Sequence, residues 1–303
     1  MSVLITGATG LLGSKIAKAC IRKDIAVKYL TTSKSKIQSE PLYQGYYWNP
    51  ETGEIDLSCF DDVEVIIHLA GATVSKRWTT SYKKTILDSR VVTTRLLHKS
   101  LKSLNTHKVA HFISASGINI YPDSLIKYYE ESETTIDSSF LGKVVKAWED
   151  EVDTFFSLNI PVAKIRIGLV LAEEGGALPE LKKPIDFGLG AVFGSGEQWQ
   201  SWIHVDDVVR VFMHVLKYRL EGIYNAVAPN PVTHAELTRM VAKTLSKPLL
   251  LPNMPKSVMK VVLGDMHELL FASQRVGSKK IENKGFDFKF HNLQNALDDL
   301  LLQ

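Results

Sequence analysis

Cysteine is nearly missing from this 303-residue chain, which holds only Cys20 and Cys59. Two isolated thiols supply neither a disulfide framework nor the paired spacing of a zinc site, so both are read as plain thiols and no metal is expected. Long apolar runs are missing too. The chain enters its first apolar segment at once, without a basic leader, so neither a signal peptide nor a membrane span is expected, and the default is a cytoplasmic protein with no membrane partner. Charge of one sign is also scarce. The net charge is +3, with Lys and Arg scattered among acids, which leaves no basic surface for a nucleic acid. There is no internal repeat and no low-complexity tract.

What is present fits an ordinary globular protein: 45% hydrophobic and 23% charged residues. The length exceeds a comfortable single core, so a large domain with a second, smaller one is the expectation. The stretch from Val3 to Gly13 is the most informative. An apolar run suited to a buried parallel strand meets Gly7, Gly10 and Gly13, and a helical pattern then reaches about Cys20. Gly7 suits the tight turn, Gly10 a close approach to a pyrophosphate, and Gly13 close packing of helix on strand. The phosphates would meet the N–H groups of Thr9, Gly10, Leu11 and Leu12 at the helix start. Taken alone, the same residues also describe an ordinary strand–turn–helix.

Alternation along the chain decides in favour of the pocket. Apolar strands are expected at 25–30, 61–71, 109–114, 162–168 and 222–227, with a shorter one at 46–48. Helical patterns fill 81–102, 140–158 and the segment ending near Tyr218. Such alternation predicts an α/β fold with a doubly wound parallel sheet over residues 1–170, to which residues 200–228 return. The remainder, 171–303, is expected to form a smaller mixed α/β substrate-side domain. Within it, 175–196 reads as a loop-rich flap, 249–252 as a short strand, and Thr233 with Glu236 as a capping box.

The end of the second strand carries Thr32, Ser33 and Lys34, and no acid appears before Glu40. Hydroxyls and a cation accept the extra phosphate of NADP, whereas a carboxylate there would favour NAD. NADP is therefore the expected cofactor, although a solvated Ser/Lys loop has the same composition. Leu69, Ala70 and Gly71 end the strand at 61–71 with the small residues a cofactor needs beside it. Arg77, Arg90 and Arg166 present guanidinium forks suited to phosphate or carboxylate near the pocket, with Arg77 assigned to substrate and Arg90 to cofactor; a surface ion pair is the alternative for these two. His68 is read as a satisfied core histidine, and His204 with Asp206 and Asp207 as structural.

The order Gly7-x-x-Gly10-x-x-Gly13, Leu69-Ala70-Gly71, Ser114 to Tyr121 and Trp202-Ile203-His204-Val205-Asp206-Asp207 resembles the extended short-chain dehydrogenase/reductase superfamily, nucleotide-sugar epimerase/dehydratase type. Lys76-Arg77-Trp78, Ser89-Arg90, Gly194-Ser195-Gly196 with Gln198, and the region from Leu251 are similar to its "epimerase family" branch, whose C-terminal domain has no assigned function. The resemblance spans nearly the whole chain. It implies a Rossmann sheet, a nicotinamide cofactor, and a Ser/Thr, a Tyr and a Lys around the nicotinamide, with the Lys lowering the Tyr pKa.

The match is incomplete. Lys143 stands at the Lys position, but Ser139 occupies the Tyr position four residues earlier. A serine hydroxyl titrates far above tyrosine, itself at ~10, and is no acid or base at neutral pH. Ser114 and Ser116 remain as hydroxyl candidates, and Tyr121 either transfers the proton or packs beneath a substrate. The resulting catalytic candidates are Lys143, Ser116 and Tyr121, with Ser114 and Lys143 also on the cofactor and Tyr121 also on the substrate. The expected activity is an NADP-dependent oxidoreductase or epimerase-like reaction on a small molecule. The alternative is an NADP-binding sensor that has lost turnover. Superfamily analogy adds a homodimer through two crossover helices.

Overall fold

A computed structural model of the protein describes residues 1–302. Seven parallel strands form the centre: β1 (Ser2–Thr6), β2 (Ala26–Thr31), β3 (Tyr43–Asn49), β4 (Val65–His68), β5 (His111–Gly117), β6 (Val162–Ile167) and β7 (Gly222–Ala226). Their order across the sheet is β7-β6-β5-β4-β1-β2-β3, and two short antiparallel strands, Ser39–Glu40 and Glu54–Ile55, pair with β3. The chain winds outward from β1 to β3, then returns past β1 to build β4 through β7. The direction therefore reverses between β1 and β4, and a crevice opens at the carboxyl ends of these two strands.

Both faces of the sheet are covered at its centre, which is why β1 and β4 carry apolar runs rather than alternating. Val3, Leu4 and Ile5 of β1 and Val65, Ile66 and Ile67 of β4 are all fully buried. Helix α1 (Leu11–Ile21) packs with α5 (Val205–Tyr218) on one side, and α2 (Thr80–Ser103) with α3 (Phe140–Asp153) on the other. The outward faces of α2 and α3 carry the ion pairs Lys84–Asp88, Lys146–Asp150 and Arg95–Glu151, as a solvated surface does.

A second core draws only on residues from Leu171 onward. Leu178 and Ile185 of α4 (Leu178–Asp186), Leu237 and Val241 of α6 (His234–Thr244), and Leu293 and Leu297 of α8 (Leu293–Leu301) enclose Trp202 and Phe290. Between α6 and α8 lies α7 (Lys256–Leu263), none of whose residues is buried. Smaller clusters fasten this region to the strand ends: Met266 and Leu269 pack on Trp78, Leu141 and Val144. Among the described residues, no helix is long and apolar enough to cross a membrane.

Three expectations are corrected. The predicted flap at 175–196 contains α4, which accommodates Pro179 in its first turn, where no N–H partner is lost, and Pro184 close to its end. Residues 249–252 form no strand, and Leu250 stands 73% exposed. The helix expected over 140–158 ends at Asp153 and tightens into a 3-10 turn, Thr154–Leu158, closed by Asn159 at φ 56°. Asn tolerates this left-handed conformation better than most residues. The capping box is formed: Thr233 and Glu236 each satisfy the other's backbone N–H.

Candidate functional site

The crevice is lined first by the turn after β1. Gly7 has φ +71° and its carbonyl accepts the Gly10 N–H at 3.0 Å. A Cβ on Gly13 would lie 2.1 Å from that carbonyl oxygen, so α1 sits as close to the turn as backbone allows. Helix α1 begins at Gly10 with no side-chain cap and no acid in its first turn. Its orphan N–H groups, including those of Leu11 and Leu12, therefore face the crevice with the positive end of the helix dipole. Thr9 and Gly10 are exposed at the mouth. Over it lies the segment after Leu171: Lys15 pairs with Glu174 at 3.6 Å, and a Cβ on Gly175 would touch Leu11.

The facing wall is the end of β4. Leu69 and Ala70 are half-buried and Gly71 is exposed. Arg90 reaches this wall from α2, its Nη1 donating to the carbonyls of Ile86 at 2.8 Å and Ala72 at 3.3 Å. Its guanidinium lies 5.3 Å from the Trp148 ring centre, and a Cβ on Gly71 would stand 3.1 Å from its Cζ. Burial pushes Arg90 down to about 10, so it stays cationic at neutral pH. Beyond β2, Ser33 Oγ meets Ser35 Oγ at 2.8 Å, Thr32 is exposed, and Lys34 Nζ stands 4.8 Å above the Tyr47 ring.

On the other side, the hydroxyls expected at the nicotinamide are engaged within the fold. Ser114 Oγ donates to the Ala115 carbonyl at 2.8 Å. Ser116 Oγ donates to Glu149 Oε1 at 2.6 Å, and the same carboxylate takes both Arg166 Nε and Nη2 at 2.8 Å. Arg166 Nη1 donates to the Tyr121 hydroxyl at 3.0 Å, which donates onward to Asn225 Oδ1 at 2.8 Å. Asn225 Nδ2 then reaches the Gly277 carbonyl at 3.0 Å. Burial alone would raise the Glu149 carboxyl, but the Arg166 guanidinium and the Ser116 hydroxyl hold it below the usual glutamate range. Burial pushes the Tyr121 phenol up, against the opposing pull of Arg166.

Tyr121 is 1% exposed and stacks on Tyr129 at 5.3 Å. Its hydroxyl is held by Arg166 and Asn225 inside the fold, and Ser116 is likewise turned onto Glu149. Glu149 and Asn225 were not assigned to this site from the sequence, and Arg166, read there as a fork for phosphate or carboxylate, takes the Glu149 carboxylate. Their pairing needs β6, β7 and α3 to be brought together.

Ser139 has a definite structural task. It is the N-cap of α3: its Oγ accepts the Gly142 N–H at 3.2 Å and donates to Asp137 Oδ2 at 2.7 Å. Lys143, one turn on, is exposed. Arg77 is also exposed and lies beside Gly264, next to the Lys83–Asp265 ion pair at 2.6 Å, where the C-terminal region meets the start of α2. His204 caps α5 through the Asp206 N–H and stacks on Phe290 at 3.9 Å, while Asp207 accepts the amides of Lys289 and Phe290. These groups serve the junction between the two cores.

Comparison with known proteins agrees with this geometry. The profile of the NAD dependent epimerase/dehydratase family matches residues 3–141, and that of a domain of unknown function, DUF1731, matches residues 254–300. An epimerase family protein of Staphylococcus saprophyticus is 36% identical over 302 residues, 98% of each chain. The crystal structure of a human epimerase family protein, SDR39U1, solved with NADPH, superposes with a TM-score of 0.85 at 25% identity over the full length of both chains. A nucleoside-diphosphate sugar epimerase of Corynebacterium glutamicum gives a TM-score of 0.79 at 27% identity, over 99% of this chain and 58% of its own. The chain therefore belongs to the NAD-dependent epimerase/dehydratase family of extended short-chain dehydrogenases/reductases, in the branch that carries this C-terminal domain of unknown function.

Proposed function

We propose that the protein binds NADP and acts as an oxidoreductase or epimerase-like enzyme on a small molecule held between the strand ends and the 171–303 region. The observation that carries this reading is the uncapped N-terminus of α1 behind a turn that admits no side chain at Gly13. Those N–H groups suit a pyrophosphate, and Leu69, Ala70 and Gly71 leave room for the adjoining ribose. Thr32, Ser33 and Lys34 offer two hydroxyls and an ammonium to a 2′-phosphate, and the human relative solved with NADPH supports that choice over NAD. Arg90, charged and set at Gly71, adds a cation to the same wall.

The bound dinucleotide supplies a hydride acceptor or donor at nicotinamide C4. Lys143 holds the nicotinamide ribose and places an ammonium where a substrate oxygen gains or loses charge. Ser116, Glu149, Arg166 and Tyr121 act behind it, fixing the ends of β5 and β6 without touching the reacting atoms. Arg77 is the cation on the substrate side.

One observation favours the sensor reading. Ser139 stands where the family's phenol belongs and is used as a helix cap, so no tyrosine shares the first turn of α3 with Lys143. The two readings separate when nicotinamide absorbance is followed with aldehydes, ketones and quinones. Steady turnover that Lys143→Ala abolishes supports the enzyme. Turnover that survives Lys143→Ala overturns the role assigned to Lys143, and tight cofactor binding with no turnover across the panel supports the sensor.

A further inference from the structure

Helix α7 carries an apolar face outward. Val258, Val261 and Val262 fall at i, i+3 and i+4 and form one stripe, and all three are exposed, Val261 by 80%. Lys256 and Lys260, one turn apart, make up the polar side with Ser257, and Met259 and Leu263 form a half-buried stripe between the lysines and the valines. A helix folded onto a protein turns such an apolar face inward. Here no residue of the helix is buried, although the segment that follows it is anchored through Met266 and Leu269. Valine is an indifferent helix former, so propensity does not account for three of them in this short helix.

The apolar surface continues beyond the helix. Residues 190–194 run beside 249–254: the Met254 N–H donates to the Val192 carbonyl at 2.7 Å, the Gly194 N–H donates to the Met254 carbonyl at 2.9 Å, and a Cβ on Gly190 would stand 2.8 Å from Leu249. Phe187 and Leu189 just before the first segment, and Leu250 in the second, are exposed. No other part of the described chain gathers as many exposed large apolar side chains. Single ones are ordinary on any surface, whereas a group marks a contact. The charge here is one-sided. Residues 187–196 and 245–264 hold Lys247, Lys256 and Lys260, all exposed, and no acid. Of the acids flanking these segments, Asp186 is taken by Lys182 and Asp265 by Lys83, which leaves Glu197 and Glu268.

We infer that α7, with the adjoining edge at Phe187, Leu189 and Leu250, is a docking surface for a bilayer that contains anionic phospholipid. The expectation of no membrane partner came from the want of a long apolar run, which such a surface does not need. An interfacial helix lies in the plane of the membrane: its apolar stripe enters the acyl boundary, and lysines on its polar side stay among the headgroups. The lysines favour anionic lipid over a second copy of this chain. In a two-fold dimer the same patch meets itself, so Lys247, Lys256 and Lys260 would be brought against their own counterparts. This docking does not depend on the cofactor.

The test sediments the full chain with vesicles of phosphatidylcholine alone and with vesicles that also hold phosphatidylglycerol. Wild type should bind the anionic vesicles at least about tenfold more tightly and leave them as salt is raised. Val261→Ser with Val262→Ser removes apolar surface without adding charge, and Lys256→Gln with Lys260→Gln removes charge alone. Each pair should weaken binding by about tenfold or more and leave the melting temperature unchanged, because the side chains are exposed. Phe156→Ser, an exposed apolar residue on the turn after α3, should bind as wild type does. No sedimentation with anionic vesicles, equal binding to both kinds, or binding that the valine pair leaves unchanged would each overturn the inference. An equal loss with Phe156→Ser would overturn it as well, since any exposed apolar group would then serve. Should the valine pair fail to fold, Leu250→Ser in the neighbouring segment is expected to weaken binding, and wild-type affinity there would count against the surface. Light scattering that shows a dimer broken by the valine pair, with no vesicle binding, would assign the surface to a second copy and overturn the lipid reading.

Discussion

A Cβ on Gly13 would stand 2.1 Å from the carbonyl oxygen of Gly7, the shortest separation that any glycine position in the chain would create. Helix and strand meet here backbone to backbone, which holds the α1 N–H groups at the bottom of the crevice. Gly13→Ala must push α1 outward. The expected cost is about 1–3 kcal/mol of stability, the range for overpacking, with cofactor binding weakened beyond what the stability loss explains. Urea denaturation and an NADPH titration of the folded variant measure the two effects, and wild-type values in both would contradict the packing argument.

The sequence made the sheet and the turn legible because both are local patterns. Residues 3–5 and 65–67 are apolar without alternation, and the three glycines fall where one strand ends and one helix starts. The crossover helices followed from periodicity in the same way. What stayed hidden depends on contacts between distant segments. Nothing near Ser116 announces that its hydroxyl meets the Glu149 carboxylate that Arg166 also holds, or that Asn225 Oδ1 accepts the Tyr121 O–H. Ser139 is a related case: its departure from the family pattern was visible, but its use as a cap depends on how the chain turns at Asp137. Prolines 179 and 184 suggested a loop, and the packing of Leu178 and Ile185 into the second core formed a helix instead.

Ser139→Ala should lower stability by about 1 kcal/mol, as the loss of an N-cap does, and leave NADPH affinity unchanged. Thermal denaturation and a binding titration check both halves. A catalytic role for this hydroxyl would instead show as lost turnover with stability intact, which would contradict its assignment as a cap.

Glu149 and Arg166 form a bidentate pair with both side chains buried. Glu149→Gln leaves the guanidinium without its counter-charge and is expected to cost about 3–5 kcal/mol in urea denaturation. Ser116→Ala removes one hydrogen bond to the same carboxylate and should cost about 1–3 kcal/mol. Equal and small losses for the two would show that the ion pair is not the centre of the network.

Burial depresses His68 to about 3, and His111 and His234 to about 4. In the unfolded chain these imidazoles titrate near ~6.5. Below that value the unfolded state binds protons that the native state refuses, so stability is complete above it and falls as pH drops toward the native values. At pH 5 each ring withdraws about 2 kcal/mol relative to neutral pH. The urea midpoint should therefore fall steadily from pH 7 to pH 5, and His234→Phe should make that slope shallower without abolishing it, because burial lowers His98 and His204 as well. A midpoint that is flat or rises over this interval would contradict the neutral, buried assignment.

The central claim, that the uncapped start of α1 and the Thr32-Ser33-Lys34 edge together hold NADP, is tested most directly by titrating the wild-type protein with NADPH and NADH side by side and following nicotinamide fluorescence. Saturable NADPH binding is the predicted result, with NADH weaker by about tenfold or more because it lacks the phosphate that Lys34 would meet. Equal affinity for the two would remove the assignment of the edge, and no response to either at millimolar concentration would contradict the claim outright.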